Sequence, residues 1–177
     1  MLHKVYNRVF APTRAHHARD EALAERIANL RGLTPELLDV APDLGALQSA
    51  WQVAGEELRK LDDFKAPKDK LVCLMNCCRI IGDVLSSQHS GADAFLPVLL
   101  LVVLRANPPR LHSNVEYMAA YRGAQLMTSQ QSYFLTQLAS AVAFFWSASP
   151  ATFGLSDAQF AALATAPGSV RFFASTL

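Results

Sequence analysis

The sequence predicts an all-α fold, a layered multi-helix domain with a central buried apolar helix. Apolar residues recur three and four positions apart along most of the chain, the signature of helices with one buried stripe. The run Phe95–Leu104, FLPVLLLVVL, is apolar or proline throughout. A helix there has no solvent face and must be enclosed by others. The chain has 177 residues, 51% hydrophobic and 18% charged, which suits one domain with a sizeable core.

Taken in order, Leu23, Ile27 and Leu30 form an amphipathic stripe before Gly32, which can serve as the helix stop. Thr34-Pro35 has the order of an N-cap and a proline at the first helical position, opening a short turn through Leu38. Leu44, Leu47, Trp51, Ala54, Leu58 and Leu61 then predict one long helix, with Phe64 to Lys70 as its connector. Leu71, Leu74, Cys78, Ile81 and Leu85 make the next stripe, and the polar, glycine-terminated stretch Ser86 to Gly91 is a loop. After the apolar helix, Asn107-Pro108-Pro109 must stop it, because two donors are lost and α geometry is disfavoured at Asn107. Ser113 and Glu116 have capping-box spacing for a short helix ending near Tyr121. Gly123 to Thr128 is a loop, and Ser129 to Trp146 a last long helix with Phe134, Leu138, Val142 and Phe145 on its apolar face.

A formal net charge of +1 gives no basic surface for nucleic acid and no polybasic membrane anchor. The longest apolar run is about half of the ~20 residues that a spanning helix needs, and no apolar leader opens the chain. These features predict a soluble, cytoplasmic protein without a transmembrane segment. Cys73, Cys77 and Cys78 are odd in number and lie in one apolar segment, so they read as reduced, buried small hydrophobes. His3, His16, His17, His89 and His112 form no zinc-type spacing with them, and no metal site is expected. Nucleophile-elbow, Walker-type and His-Glu-x-x-His patterns are absent from the sequence.

Two places invite a functional reading. Asp93 stands at the edge of the apolar run, where it either N-caps the buried helix or is held out on a rigid helix end for a partner. On the last long helix, Tyr133, Thr136, Gln137 and Ser140 share a face at offsets of three, four and seven. That face is either ordinary solvated surface with Tyr133 half buried at its rim, or a contact stripe. His112 reads as a hydrogen-bonded structural histidine.

The order G-A-D-x-F-L-P at 91–97, then A-N-P-P-x-L-H-S-N at 106–114, resembles the vacuolar-protein-sorting-nine (Vps-nine) catalytic domain family. The resemblance continues upstream through Lys65–Cys73 and Asn76–Ile81. Downstream it takes in Tyr117, Tyr121-Arg122, Leu126, Tyr133-Phe134, Thr136, Leu138 and Ser140-Ala141. It spans roughly residues 1 to 165 and is most similar to the plant and algal type. Members of this family are guanine-nucleotide exchange factors for Rab GTPases of the Rab-five subfamily. The resemblance implies one catalytic domain over 1–177, with 1–16 a helical lead-in from a mostly absent N-terminal bundle, about 17–165 the core and 166–177 a tail. By the same resemblance Val5–Phe10, which alone could pass for a strand, is helical.

The resemblance also implies roles. Asp93 is the acidic finger aimed at the nucleotide phosphate site of the GTPase, and Tyr133 acts with it. Pro97, Thr136, Gln137 and Ser140 bind the GTPase, although a proline near a helix start also has a purely structural use. Asn107, Pro108, Pro109, His112, Ser113 and Asn114 are architectural. The implied protein has no cofactor of its own and acts on the GDP, GTP and magnesium held by its partner. It is expected on endosomal membranes, peripherally at most. The chain departs from the family pattern at Ala94, where a second acid is common, at Ser129-Gln130, which replaces Gly-Glu, and at Gln137, where Asn is frequent. Those departures motivate an alternative, an exchange-inactive Rab-binding adaptor with the same fold. A thiol or metal enzyme built on the three cysteines is a remote third reading.

Overall fold

The computed structural model describes residues 2–123 and 126–165, and among these there are helices and turns but no strand. Helix α1 is Leu2–Val9, α2 Arg14–Asn29, α3 Pro42–Gly45, α4 Gln48–Arg59, α5 Pro67–Ser87, α6 Phe95–Ala106, α7 Leu111–Tyr121, α8 Ser129–Ser147 and α9 Asp157–Ala162. Short 3-10 turns at Glu36–Leu38, Lys60–Asp62, Ala92–Ala94 and Pro150–Phe153 join them. The predicted tail at 166–177 lies outside the described residues.

Helix α6 is the core. Every residue from Val98 to Leu104 is buried, and α6 packs against α4, α5 and α8. A helix with no solvent face loses the option of hydrating its last carbonyls, so they need protein donors. Arg59 supplies one, donating to the Ala106 carbonyl at 2.6 Å. Arg105 leaves the apolar stack sideways and ties α6 to the segment after α2, donating to the carbonyls of Arg31 at 2.9 Å and Leu33 at 3.1 Å. Asn107 ends the helix in the left-handed region (φ 39°) and donates to the Ala24 carbonyl at 3.1 Å. Helices α4 and α6 approach closely at Gly55, where a Cβ would stand 3.0 Å from that of Ala106.

Around this centre, α2 packs on α7 and α8, α5 on α4, α7 and α8, and α7 on α8. The predicted stripes are buried as expected: Leu23, Ile27 and Leu30 on α2, and Leu71, Leu74, Cys78, Ile81 and Leu85 on α5. Helix α1 confirms a helical Val5–Phe10 up to Val9, and its Tyr6 with the following Phe10 packs against Tyr117 of α7.

Several expected boundaries move. The stripe Leu44–Leu61 is not one helix but three pieces, α3, α4 and the 3-10 turn Lys60–Asp62. Leu47 leaves helical geometry (ψ 50°), and the Trp51 indole reaches back to the Leu44 carbonyl at 2.7 Å, stitching the break. Spacing alone cannot see such a break, because the pieces bury the same stripe. The connector is shorter than Phe64 to Lys70: Pro67 starts α5, where its missing N–H costs nothing, and Lys70 is helical. Gly32 is not the stop of α2, which ends at Asn29 with Leu30 at the cap. Ser113 and Glu116 form no capping box. Helix α7 begins at Leu111 after Arg110 in the left-handed region (φ 49°), and Ser113 is buried inside it. Capping boxes form instead between Thr128 and Gln131 at the start of α8, between Ser149 and Thr152 before the turn Pro150–Phe153, and between Ser156 and Gln159 at the start of α9.

Candidate functional site

Helix α5 ends through His89 in the left-handed region (φ 53°) and a closing bond from Ser90 N–H to the Leu85 carbonyl at 2.9 Å. The chain then makes the 3-10 turn Ala92–Ala94, with Ala94 N–H donating to the Gly91 carbonyl at 3.1 Å, and runs directly into α6. Asp93 sits in this turn. Ala94, not Asp93, occupies the N-cap of α6, and no side-chain cap bond is made there. The capping alternative for Asp93 is thereby removed. Its carboxylate is exposed and has no hydrogen bond or ion pair with any described residue.

The carboxylate borders an open groove of about 490 Å³. Asp39 and Leu44 line it together with Gly91, Asp93 and Pro97. Pro97 is half buried in the first turn of α6, where its lost donor is harmless. Asp39 is exposed and held in the left-handed region (φ 57°) just after the turn Glu36–Leu38. The groove therefore carries two carboxylates, Asp39 and Asp93, in a lining that includes the apolar Leu44 and Pro97.

Tyr133, Thr136, Gln137 and Ser140 share a face of α8 as expected. Tyr133 is 48% exposed, Thr136 and Ser140 are exposed, and Gln137 is half buried. The Thr136 hydroxyl donates to the Ser132 carbonyl at 2.9 Å. The buried face of α8 is Leu135, Leu138, Ala141, Val142 and Phe145, while Phe134 is only half buried. Phe134 is instead part of an aromatic seam. Phe95, two residues after Asp93, stacks on Phe134 (5.5 Å between ring centres, 18° between planes) and lies 6.2 Å from the Tyr133 ring. The first side chain of α6 thus locks the Asp93 turn to the Tyr133 end of α8.

The segment 107–114 stays away from this groove and acts as architecture. Asn114 is fully buried. Its Oδ1 accepts from Lys70 Nζ at 2.6 Å, and its Nδ2 faces Asp62 Oδ1 at 3.2 Å and the carbonyls of Pro109 and Arg110 at 3.2 and 3.1 Å. Ser113 donates from its backbone N–H and hydroxyl to the two oxygens of Asp20, at 2.9 and 2.6 Å, joining α7 to α2. Arg110 donates to both Asp62 oxygens at 2.8 and 3.0 Å. His112 differs from expectation: its Nε2 lies 3.3 Å from Glu116 without a hydrogen bond, and the ring stands edge-on to Trp146 at 6.3 Å.

Lys70 is the most unusual group. It is fully buried, donates also to the Leu61 carbonyl at 2.7 Å, and lies under the rings of Phe10, Tyr6 and Tyr117 at 4.6, 5.5 and 5.9 Å. Burial pulls its ammonium down to about 8, while nearby Asp62 acts in the opposite direction. Burial likewise pushes the Tyr6 phenol up to about 12 and raises the thiols of Cys73 and Cys77. Among the described residues no group of three His, Cys, Asp or Glu side chains could hold a metal, and no helix is long and apolar enough to cross a membrane.

Asp39 and Asp20 were not singled out from the sequence, Gly91 entered only as the glycine that opens the G-A-D motif and Lys70 only within the Lys65–Cys73 stretch. Asp39 and Asp20 lie far along the chain from Asp93 and Ser113, so no local pattern signals either pairing. Lys70 had a signal, since it continues the buried α5 stripe four positions before Leu74.

The sequence matches the family described as the Vacuolar sorting protein 9 (VPS9) domain over residues 51–150. It is 37% identical over 168 residues to the proteins named Vacuolar protein sorting-associated protein 9A of Oryza sativa subsp. japonica and Arabidopsis thaliana, covering 90% of this chain and 35% and 32% of those proteins. It is 32% identical over 167 residues to the Rab5 GDP/GTP exchange factor of Homo sapiens, covering 90% of this chain and 34% of that protein. The chain spans about a third of the length of these relatives. The matched span runs from Trp51 to Pro150 and contains Asp93, the 107–114 segment and Tyr133 in the expected order. This chain belongs to the VPS9 domain family.

Proposed function

We propose that this chain is a single catalytic domain that promotes GDP release from, and GTP loading of, a small GTPase of the Rab-five subfamily in endosomal or vacuolar trafficking. The observation that carries this reading is the exposed Asp93 carboxylate, on the turn that leads into the buried helix α6, with no hydrogen-bond or ion-pair partner among the described residues. A carboxylate delivered to a nucleotide site competes with the β-phosphate for the phosphate-binding lysine of the GTPase and so disfavours both the β-phosphate and the magnesium it holds. No covalent bond forms or breaks, and the domain needs no cofactor of its own.

The carboxylate is not sufficient. A charge-assisted hydrogen bond contributes about 1.5–3 kcal/mol, whereas weakening nucleotide binding from nanomolar to micromolar takes about 4 kcal/mol. The remainder requires a surface that binds the nucleotide-free GTPase better than the GDP form, since only differential affinity shifts an equilibrium. Tyr133, Thr136, Gln137, Ser140 and Pro97 supply it, with Tyr133 as the rigid aromatic anchor. The protein works in the cytoplasm and reaches endosomal membranes peripherally, where the lipid anchor of its partner holds the GTPase.

Release of a fluorescent GDP analogue from a Rab-five-type GTPase tests the reading. Acceleration by the wild type should fall about tenfold or more with Asp93→Asn. Absence of acceleration, with retained binding that prefers the GTP form, would replace the exchange factor by an adaptor.

A further inference from the structure

The backbone of Gly91 has φ −68° and ψ 163°, a conformation open to any residue, so backbone freedom does not explain a glycine there. Side-chain space does. A Cβ on Gly91 would stand 2.3 Å from Oδ1 of Asp93, far inside contact distance, and 3.5 Å from its Cγ. The Asp93 carboxylate thus rests directly against the face of Gly91 where every other residue carries a side chain. No hydrogen bond or ion pair to a described residue holds it there. Asp93 also borders the groove lined by Asp39, Leu44 and Pro97, so its rotamer decides where negative charge is presented along that groove.

We propose that Gly91 is a positioning residue for the Asp93 carboxylate, an inference that rests on the exchange reading above. The clash made by an added methyl group falls on the end of an exposed side chain, which can turn away at little cost to the fold. A methyl group at position 91 therefore turns the Asp93 side chain into another rotamer, moving the carboxylate by at least about 1 Å without unfolding the turn, and misplacement of that size costs up to ~100-fold in rate. Alanine is at ease with the observed dihedrals and reduces the freedom of the unfolded chain, so stability holds or rises.

Four proteins test it: wild type, Gly91→Ala, Asp93→Asn and the double variant, each assayed by release of a fluorescent GDP analogue from a Rab-five-type GTPase. Gly91→Ala should keep the wild-type melting temperature and lose about tenfold or more in kcat/KM, and it should add nothing in the Asp93→Asn background. Equal losses in both backgrounds, or wild-type exchange by Gly91→Ala, would overturn the proposal. Side-chain couplings of Asp93 measured by NMR in the free proteins give a readout that needs no exchange activity. The Asp93 rotamer should change in Gly91→Ala, and an unchanged rotamer overturns the positioning role. Wild-type exchange that is indifferent to Asp93→Asn refutes the acidic-finger mechanism, and absence of acceleration by the wild type refutes the exchange reading; in either case a changed rotamer still upholds the placement of the carboxylate by Gly91.

Discussion

Lys70 Nζ lies 2.6 Å from Oδ1 of Asn114, in a site where both side chains are fully buried. The same amide faces Asp62 through Nδ2, so one asparagine joins the start of α5, the end of the 3-10 turn Lys60–Asp62 and the first turns of α7. Three aromatic rings from α1, the residue after it and α7 close over the ammonium. The node sits apart from the groove beside Asp93, and its use is to fix the helices that carry that groove.

Asn114→Ala should therefore destabilise the fold by about 2–5 kcal/mol, because it leaves a buried ammonium short of an acceptor. Urea unfolding measures this. Exchange activity per folded molecule should stay at the wild-type level, since Asn114 lies in the architectural node.

The buried ammonium also predicts a pH dependence. Lys70 is held at about 8 in the fold, against about 10.4 in the unfolded chain. Between these values the unfolded chain binds the proton that the native state has released, so this group's contribution to stability rises with pH. It is fully present above about 10.4 and lost as pH falls through about 8. Tyr6 and the thiols of Cys73 and Cys77 keep their protons longer in the fold and act in the opposite sense, so the comparison needs Lys70→Met. The stability of the wild type relative to that variant should increase between pH 7.5 and 9.5 in paired urea titrations. A pH-independent difference would contradict the assignment.

Tyr133→Ala should lower exchange about thirtyfold, the effect of losing an interface anchor worth about 2 kcal/mol. Because the ring is 48% exposed, the stability cost should stay under about 1 kcal/mol. Tyr133→Phe should keep most of the activity if the aromatic surface carries the contact. Kinetics on both variants beside a thermal melt separate the two effects.

Cys73, Cys77 and Cys78 are free and buried at 4%, 0% and 1% exposure. Burial raises the thiols of Cys73 and Cys77, which suppresses the reactive thiolate. An aromatic disulfide reagent should find almost no fast-reacting thiol in the native protein and all three in denaturant. Rapid native reactivity would revive a role for these cysteines in chemistry.

Much of this architecture was legible in the sequence because burial imposes periodicity. The stripes of α2 and α5, that of α8 apart from Phe134, and the all-apolar α6 are where spacing placed them, and Asn107-Pro108-Pro109 ends α6 as two lost donors require. The misses have different causes. The break between α3 and α4 turns on a bond across only seven residues, Leu44 with Trp51, that periodicity does not show; α5 starts early because Pro67 takes its first position; and the buried position of Ser113 depends on a partner distant in the chain, Asp20. A local pattern such as the capping-box spacing of Ser113 and Glu116 cannot win against a buried carboxylate that offers both its oxygens.

By itself the sequence determined the helical class, the central apolar helix and the family, since hydrophobic spacing and ordered motifs are written along the chain. Only the tertiary structure decided that Asp93 is free rather than a cap, that Asp39 shares its groove, and that Phe95 binds this turn to Tyr133. The physical reason is that a side chain's partners, and hence whether its charge is consumed or presented, are fixed by packing between segments far apart in sequence.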